Sequence, residues 1–222
     1  MSTVLLASGA RPYADSWHAF AQTSDRLSTL ISDLGHQVRL SDRVEDGLVG
    51  LRPVDLVVIN IGNPTEARPA ETVAAMQQSL LDHLRRGGGL LGFHSSSISF
   101  ATMPRWSEIL GGHWIPGTSM HPSLSETMIN ICGPHPITDE LGDIAVIDER
   151  YSYLSTEPDI TVLGQHDHDH LRHPIVWARD TGAGRVVYDG LGHDTRSYDS
   201  PGHVELIRRS VSWLLAPILA EA

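Results

Sequence analysis

The chain has 222 residues with 16 basic and 27 acidic side chains, net charge −11 with histidine neutral; it is long enough to bury one full core and too acidic to suit a phosphate-backbone partner. Cys132 is the only cysteine, which excludes a disulfide framework and a cysteine-based zinc cluster and points to a reducing, cytoplasmic setting. The opening residues carry no basic stretch ahead of their apolar run, and no apolar run approaches the roughly 20 residues that span a bilayer, so the expectation is a soluble single domain over residues 1–222 with no nucleic-acid or membrane partner.

Residues 4–7 form a short buried strand that ends in the loop Ser8-Gly9-Ala10-Arg11-Pro12. A helix is expected over 16–34, with Phe20, Leu27, Leu30, Ile31 and Leu34 at helical spacing and Gly35 as its stop. His18 falls in the first turn of that helix, where it could reach a ligand at the sheet edge. Residues 38–40 and 54–60 read as two more strands, the second apolar nearly throughout, as a parallel strand covered on both faces should be. A helix over 71–86 follows, with Val73, Met76, Leu80, Leu81 and Leu84 on one face.

The centre of the pattern is Gly87-Gly88-Gly89-Leu90-Leu91-Gly92-Phe93-His94-Ser95. Glycines release a helix, a short buried strand follows, and a polar turn comes next. In open α/β sheets ligands sit outside the carboxyl ends of the strands, so the residue at such a tip is a site candidate. Nucleophile elbows place serine or cysteine there; this chain places His94. The first half therefore reads as a doubly wound parallel sheet whose loops after residues 8, 60 and 94 line one crevice.

Beyond the corner, residues 105–114 form a short helix stopped by Gly111-Gly112, and His121-Pro122 favours extended backbone. A strand is expected over 126–132, the proline-bracketed turn around His135 is structural, and residues 145–151 put the acidic pair Asp148-Glu149 at the end of an apolar segment. Strands over 160–164, 174–178 and 185–188 are added, with antiparallel pairing, before a last helix over 204–215. The histidine-rich run between residues 165 and 173 reads as a solvated hairpin loop, and Gly182-Ala183-Gly184 as a hairpin turn rather than a dinucleotide fingerprint. The apolar residues Trp213-Leu214-Leu215 and Ile218-Leu219 exceed what the last helix needs and suggest a homo-oligomer surface.

His94 and His193 each end a strand, and Glu149 ends another between them. If those ends share one sheet edge, three groups able to exchange protons near neutral pH converge. The ordered set Gly87-Gly88-Gly89-Leu90-Leu91-Gly92-Phe93-His94-Ser95, Leu110-Gly111-Gly112-His113-Trp114 with His121-Pro122, His135-Pro136-Ile137-Thr138, Asp148-Glu149-Arg150-Tyr151, Pro174-Ile175-Val176-Trp177 and Gly184-Arg185-Val186-Val187-Tyr188 with Leu191-Gly192-His193 resembles the trehalose-utilisation (ThuA-like) proteins. That resemblance implies a flavodoxin-like, class I glutamine amidotransferase-like α/β fold, mainly parallel, with added antiparallel strands in the C-terminal half. It also implies a role in using trehalose or related disaccharides through oxidised (3-keto) sugar derivatives.

On that footing His94 and His193 are expected as base and acid with Glu149 orienting one of them. His18, Ser95, Trp114, His121 and Tyr151 are candidates to bind the sugar, with Trp17 as a further flat face. A divalent metal such as zinc is a second expectation, with His94, His113, His121, Glu149 and His193 as its candidate ligands. A sugar-binding or regulatory module without catalysis is the third.

Overall fold

Aliphatic runs buried on both faces build the parallel half of the sheet: β1 (Thr3–Ser8), β2 (Gln37–Ser41), β3 (Leu56–Asn60) and β4 (Gly89–Phe93). In this computed structural model, which describes residues 1–218, they are joined by helices α1 (Phe20–Asp33), α2 (Val44–Leu48) and α3 (Ala70–Arg85). A turn of 3-10 helix over His94–Ser97 leads to α4 (Trp106–Leu110). The C-terminal half adds β6 (Ser125–Ile131), β7 (Ile144–Asp148), β9 (Thr161–His168), β10 (Leu171–Asp180) and β11 (Arg185–Asp189), then α5 (Pro201–Leu215). Two short strands, β5 (Gly112–His113) and β8 (Ser155–Thr156), pair apart from the main sheet.

The main sheet has the order β2-β1-β3-β4-β11-β10-β9-β6-β7, parallel from β2 to β11 and antiparallel beyond. This is the expected doubly wound α/β sheet with an antiparallel extension. One face packs Leu27 and Ile31 of α1 with Leu206, Ile207 and Val211 of α5. The other packs Leu48, Met76, Leu80 and Ile109 from α2, α3 and α4.

The sheet does not lie open. β7 stands four places from β11, and at about 4.8 Å per strand a flat sheet would hold them about 19 Å apart. Instead the Gly192 amide, three residues past β11, donates to Asp148 Oδ2 at 2.7 Å. The antiparallel extension therefore curls until its last strand meets the loop after β11. Alternating strand directions also put the carboxyl ends of β1, β4, β7 and β11 at one edge.

Two expectations are corrected, and one element is added. The helix over 16–34 begins only at Phe20, because Asp15 accepts the amides of Trp17 and His18 at 2.8 and 3.0 Å and holds a separate turn; His18 precedes the helix. The short α2 went unread because Gly47 interrupts its apolar pattern. The histidine-rich run is strand rather than solvated loop, since β9 and β10 extend to a tight turn at Asp169 and His170, both at positive φ. His166 and His173 are cross-strand partners buried on the inner face, while Asp167 and Asp169 point to solvent.

Trp213 and Leu214 are used within the chain: Leu214 lies in the core, and Trp213 meets His135 edge-on at 4.9 Å between ring centroids and lies under the Arg185 guanidinium at 4.8 Å. Leu219 of the suggested self-association surface lies outside the described residues. No helix among the described residues is long and apolar enough to cross a membrane.

A buried relay braces the site-bearing loop. His203 of α5, fully buried, meets Asp189 Oδ2 at 2.9 Å through Nε2 and Ser197 O at 3.0 Å through Nδ1. Burial alone would lower the His203 pKa, but Asp189 outweighs it and the value is raised. A raised folded pKa contributes stability that is complete below the unfolded value of about 6.5 and is lost as pH rises through the folded value. Urea midpoints measured from about pH 6 to about pH 9 should therefore fall more steeply in the natural protein than in His203→Gln.

Candidate functional site

His94 is fixed by backbone geometry as much as by side-chain contacts. A Cβ on Gly92 would stand 2.6 Å from Leu110 Cδ1 and 2.7 Å from Ser96 Oγ, so only glycine lets β4 pass that close to the following turn. The turn leaves His94 at φ 38°, in the left-handed region that a side chain rarely adopts. Its backbone carbonyl accepts from the Tyr188 hydroxyl at 2.9 Å, and its Nδ1 lies 2.8 Å from the Gly190 carbonyl. A carbonyl only accepts, so Nδ1 carries the proton and Nε2 presents a lone pair.

His18 is oriented by Asp15. The carboxylate takes the Nδ1–H at 2.9 Å in addition to the two backbone amides, which again leaves Nε2 with a free lone pair. Glu149 and His193 are both placed by Asp148. That carboxylate, with no exposure to solvent, accepts from the amides of Glu149 at 2.8 Å, Gly192 at 2.7 Å and His193 at 3.2 Å.

These devices bring four donors together. The ligand atoms of His18, His94, Glu149 and His193 all lie within 4.8 Å of one another. Glu149 Oε2 is 3.4 Å from His94 Nε2 and 3.3 Å from His193 Nδ1. His18 Nε2, His94 Nε2 and His193 Nδ1 are all buried without a hydrogen-bond partner among the described residues. Buried polar atoms are nearly always paired, so three such nitrogens in one cluster require an explanation in terms of what they hold.

The sequence carries the family signature across this whole arrangement: residues 10–214 match the ThuA family, described as trehalose utilisation. The chain belongs to the ThuA family. Its fold is shared with a ThuA-like protein from Parabacteroides merdae ATCC 43184, at 21% identity over 96% of this chain and 89% of that one with a TM-score of 0.77. A ThuA-like protein from Bacteroides uniformis ATCC 8492 follows at 17% identity, 96% and 90% coverage and a TM-score of 0.75. A glutamine amidotransferase from Thermotoga maritima has the same fold at 10% identity, 97% and 98% coverage and a TM-score of 0.61. No curated protein matches the sequence.

In this ThuA chain the electrostatics of the cluster follow from burial and proximity. Burial above all, with the neighbouring His94 and His193 imidazoles, pushes the His18 pKa down to about 4 against the pull of Asp15, so His18 is neutral at pH 7. Burial would raise Glu149, but His193 and His94 outweigh it and hold the carboxyl well below its usual range. Burial likewise opposes ionisation of His193, and Glu149 overcomes it to push that pKa up.

The other sequence candidates are distributed around the ThuA cluster. Tyr151 stacks on His94 at 4.2 Å between ring centroids and meets Trp114 edge-on at 4.9 Å. His121, 38% exposed, stands at the rim with Nδ1 3.5 Å from Glu149 Oε1. Ser95 faces the other way: its hydroxyl donates to the Ile61 carbonyl at 2.9 Å and is buried there. Trp17 is 78% exposed. His113 stays outside the cluster, its Nδ1 3.0 Å from Ser107 Oγ. The metal set proposed from sequence thus differs from the donors that converge, which include His18 and omit His113 and His121. Asp15 and Asp148 were not singled out, although Asp148 could have been: in β7 Ile144, Val146 and Asp148 share the buried side of a period-two pattern.

Proposed function

We propose that this ThuA-family protein is a lyase or hydrolase acting on an oxidised (3-keto) derivative of trehalose or a related disaccharide, at a divalent metal held by His18, His94, Glu149 and His193. The observation that carries this reading is the spacing of the unpartnered donors. Zinc bonds of about 2.0–2.1 Å in a tetrahedron put neighbouring ligand atoms about 3.4 Å apart; Glu149 Oε2 lies 3.4 and 3.3 Å from the two histidine nitrogens. Three imidazoles and one carboxylate suit zinc or another divalent transition metal.

A divalent metal able to take a ligand beyond these four residues would supply Lewis-acid polarisation of the keto oxygen of a bound sugar. The keto group acidifies the adjacent C–H; a base takes that proton, the freed electron pair forms a C=C bond, and the glycosidic oxygen leaves and takes up a proton. His121, at the rim beside Glu149 and half-open to solvent, is placed to carry those protons. Tyr151 and Trp114 offer flat faces to a ring. Glutaminase chemistry has no support here, because His94 occupies the elbow and Cys132, its thiol pKa raised by burial, lies just past β6.

Protein purified without an affinity tag should contain about one equivalent of metal per chain by elemental analysis and turn over 3-keto-trehalose. Metal-free protein with full turnover would instead select an acid–base site with His94 and His193 as base and acid, a reading favoured by the raised His193 pKa. Metal-free protein that binds sugar without turnover would leave a binding module and end the enzymatic reading. Asp15→Asn should weaken metal affinity about 10–100-fold in a chelator competition, as loss of the group that orients a ligating histidine does.

A further inference from the structure

Against Ser97, the last residue of the turn that begins at His94, lies a cavity of about 380 Å³, walled by Phe100, Met103, Trp106, Ser107, His113 and Trp114. Its size sits at the small end of the range for small-molecule pockets, about 300–1,000 Å³, which suits one ring rather than a chain of them. Its frame is tied to the turn that carries His94: the Trp106 indole donates to Ser96 O at 2.8 Å, and the Trp114 amide donates to Ser97 O at 3.0 Å. Trp114 is the shared wall, since it lines the cavity and also meets Tyr151, which stacks on His94.

One polar group in this aromatic cavity has its hydrogen-bonding sense fixed. Ser107 Oγ donates its single proton to the Glu157 carboxylate at 2.6 Å, since a carboxylate only accepts. The contact between His113 Nδ1 and Ser107 Oγ at 3.0 Å must then be donated by His113. His113 Nε2 is left as an acceptor. Aromatic faces with one acceptor in the lining match a pyranose, whose ring has apolar C–H faces and whose hydroxyls donate.

We propose that this cavity is the subsite for the second, leaving hexose of a disaccharide whose oxidised ring reacts at the metal, with Trp114 as a wall along the path between the two sites and His113 accepting from a hydroxyl of the second. The proposal rests on the function proposed above and explains why the chain would take a disaccharide rather than any oxidised glucoside.

The test compares 3-keto-trehalose with methyl 3-keto-α-glucoside, which keeps the reacting ring and replaces the second sugar by methyl. The natural protein should prefer the disaccharide at least tenfold in kcat/KM. Ala101→Trp, which fills the cavity from its exposed mouth, and His113→Phe should each raise KM for 3-keto-trehalose at least tenfold. Both should leave kcat/KM for the methyl glycoside within twofold and the metal content unchanged. Equal use of both substrates by the natural protein, or variants that retain the preference, would make the cavity a packing gap and overturn the subsite while the proposed function stands. Turnover of neither substrate would remove the function and the subsite together.

Discussion

Replacing His94 by alanine is expected to strip the protein of its metal and reduce turnover of 3-keto-trehalose by roughly 10²–10⁴-fold or more, the range for losing a positioned acid–base group and a lower bound for losing a ligand. His94 Nε2 has no other partner among the described residues, and its Nδ1 is committed to the Gly190 carbonyl. Removing the ring therefore deletes one donor, frees one carbonyl and leaves a void beneath Tyr151. His94 sits at φ 38°, so a changed side chain can alter strain as well as chemistry. Asparagine tolerates left-handed backbone well, so His94→Asn separates the two: it should keep the melting temperature of the metal-free natural protein and still lack metal and activity. Metal retained in both variants would show that His94 is not a ligand.

Asp148→Ala is expected to destabilise the fold by about 3–5 kcal/mol, because each amide left without its acceptor costs about 1–3 kcal/mol. Three backbone amides, of Glu149, Gly192 and His193, donate to this one carboxylate. Without it all three lose their acceptor, the Gly192 amide in a fully buried position and those of Glu149 and His193 in part-buried ones, in two segments that no strand ladder connects. The urea midpoint should drop accordingly, and metal content should fall with it, because Glu149 and His193 both lose their backbone anchor. Asp148→Asn keeps one acceptor oxygen and should recover part of the stability. A stability loss below about 1 kcal/mol would mean that the curl of the sheet is held elsewhere.

The parallel half of the fold was legible because its signals are local. Aliphatic runs buried on both faces marked β1, β3 and β4, and Gly35, Gly87 and Gly111, all at positive φ, stop helices where the pattern places them. His94 stood out for the same reason, directly after β4, whereas His193 lies four residues past β11 in the loop that follows it. What was not legible depends on contacts distant in sequence. Asp15 looks like any polar loop residue until His18 is seen to take its orientation from it. His113 and His94 both belong to recognisable motifs, but the reversal at Gly111 and Gly112 turns His113 toward Ser107 and away from the cluster. The histidine-rich hairpin misled because alternation identifies two faces without saying that one will be covered; His166 and His173 face inward and hold the carbonyls of Tyr151 and His168.

The curl of the sheet has a thermodynamic corollary. β7 is a terminal strand, laddered to β6 on one side only; its free side is fastened through Asp148 and through whatever bridges Glu149 to the histidines. An ion or substrate seated there works as a clasp across the seam, adding about 2.7 kcal/mol of closure at a hundredfold excess over its dissociation constant. Catalytic readiness and integrity of the last strand are then one equilibrium, and the same occupant that enables the chemistry keeps a terminal strand from offering its unpaired edge to another chain.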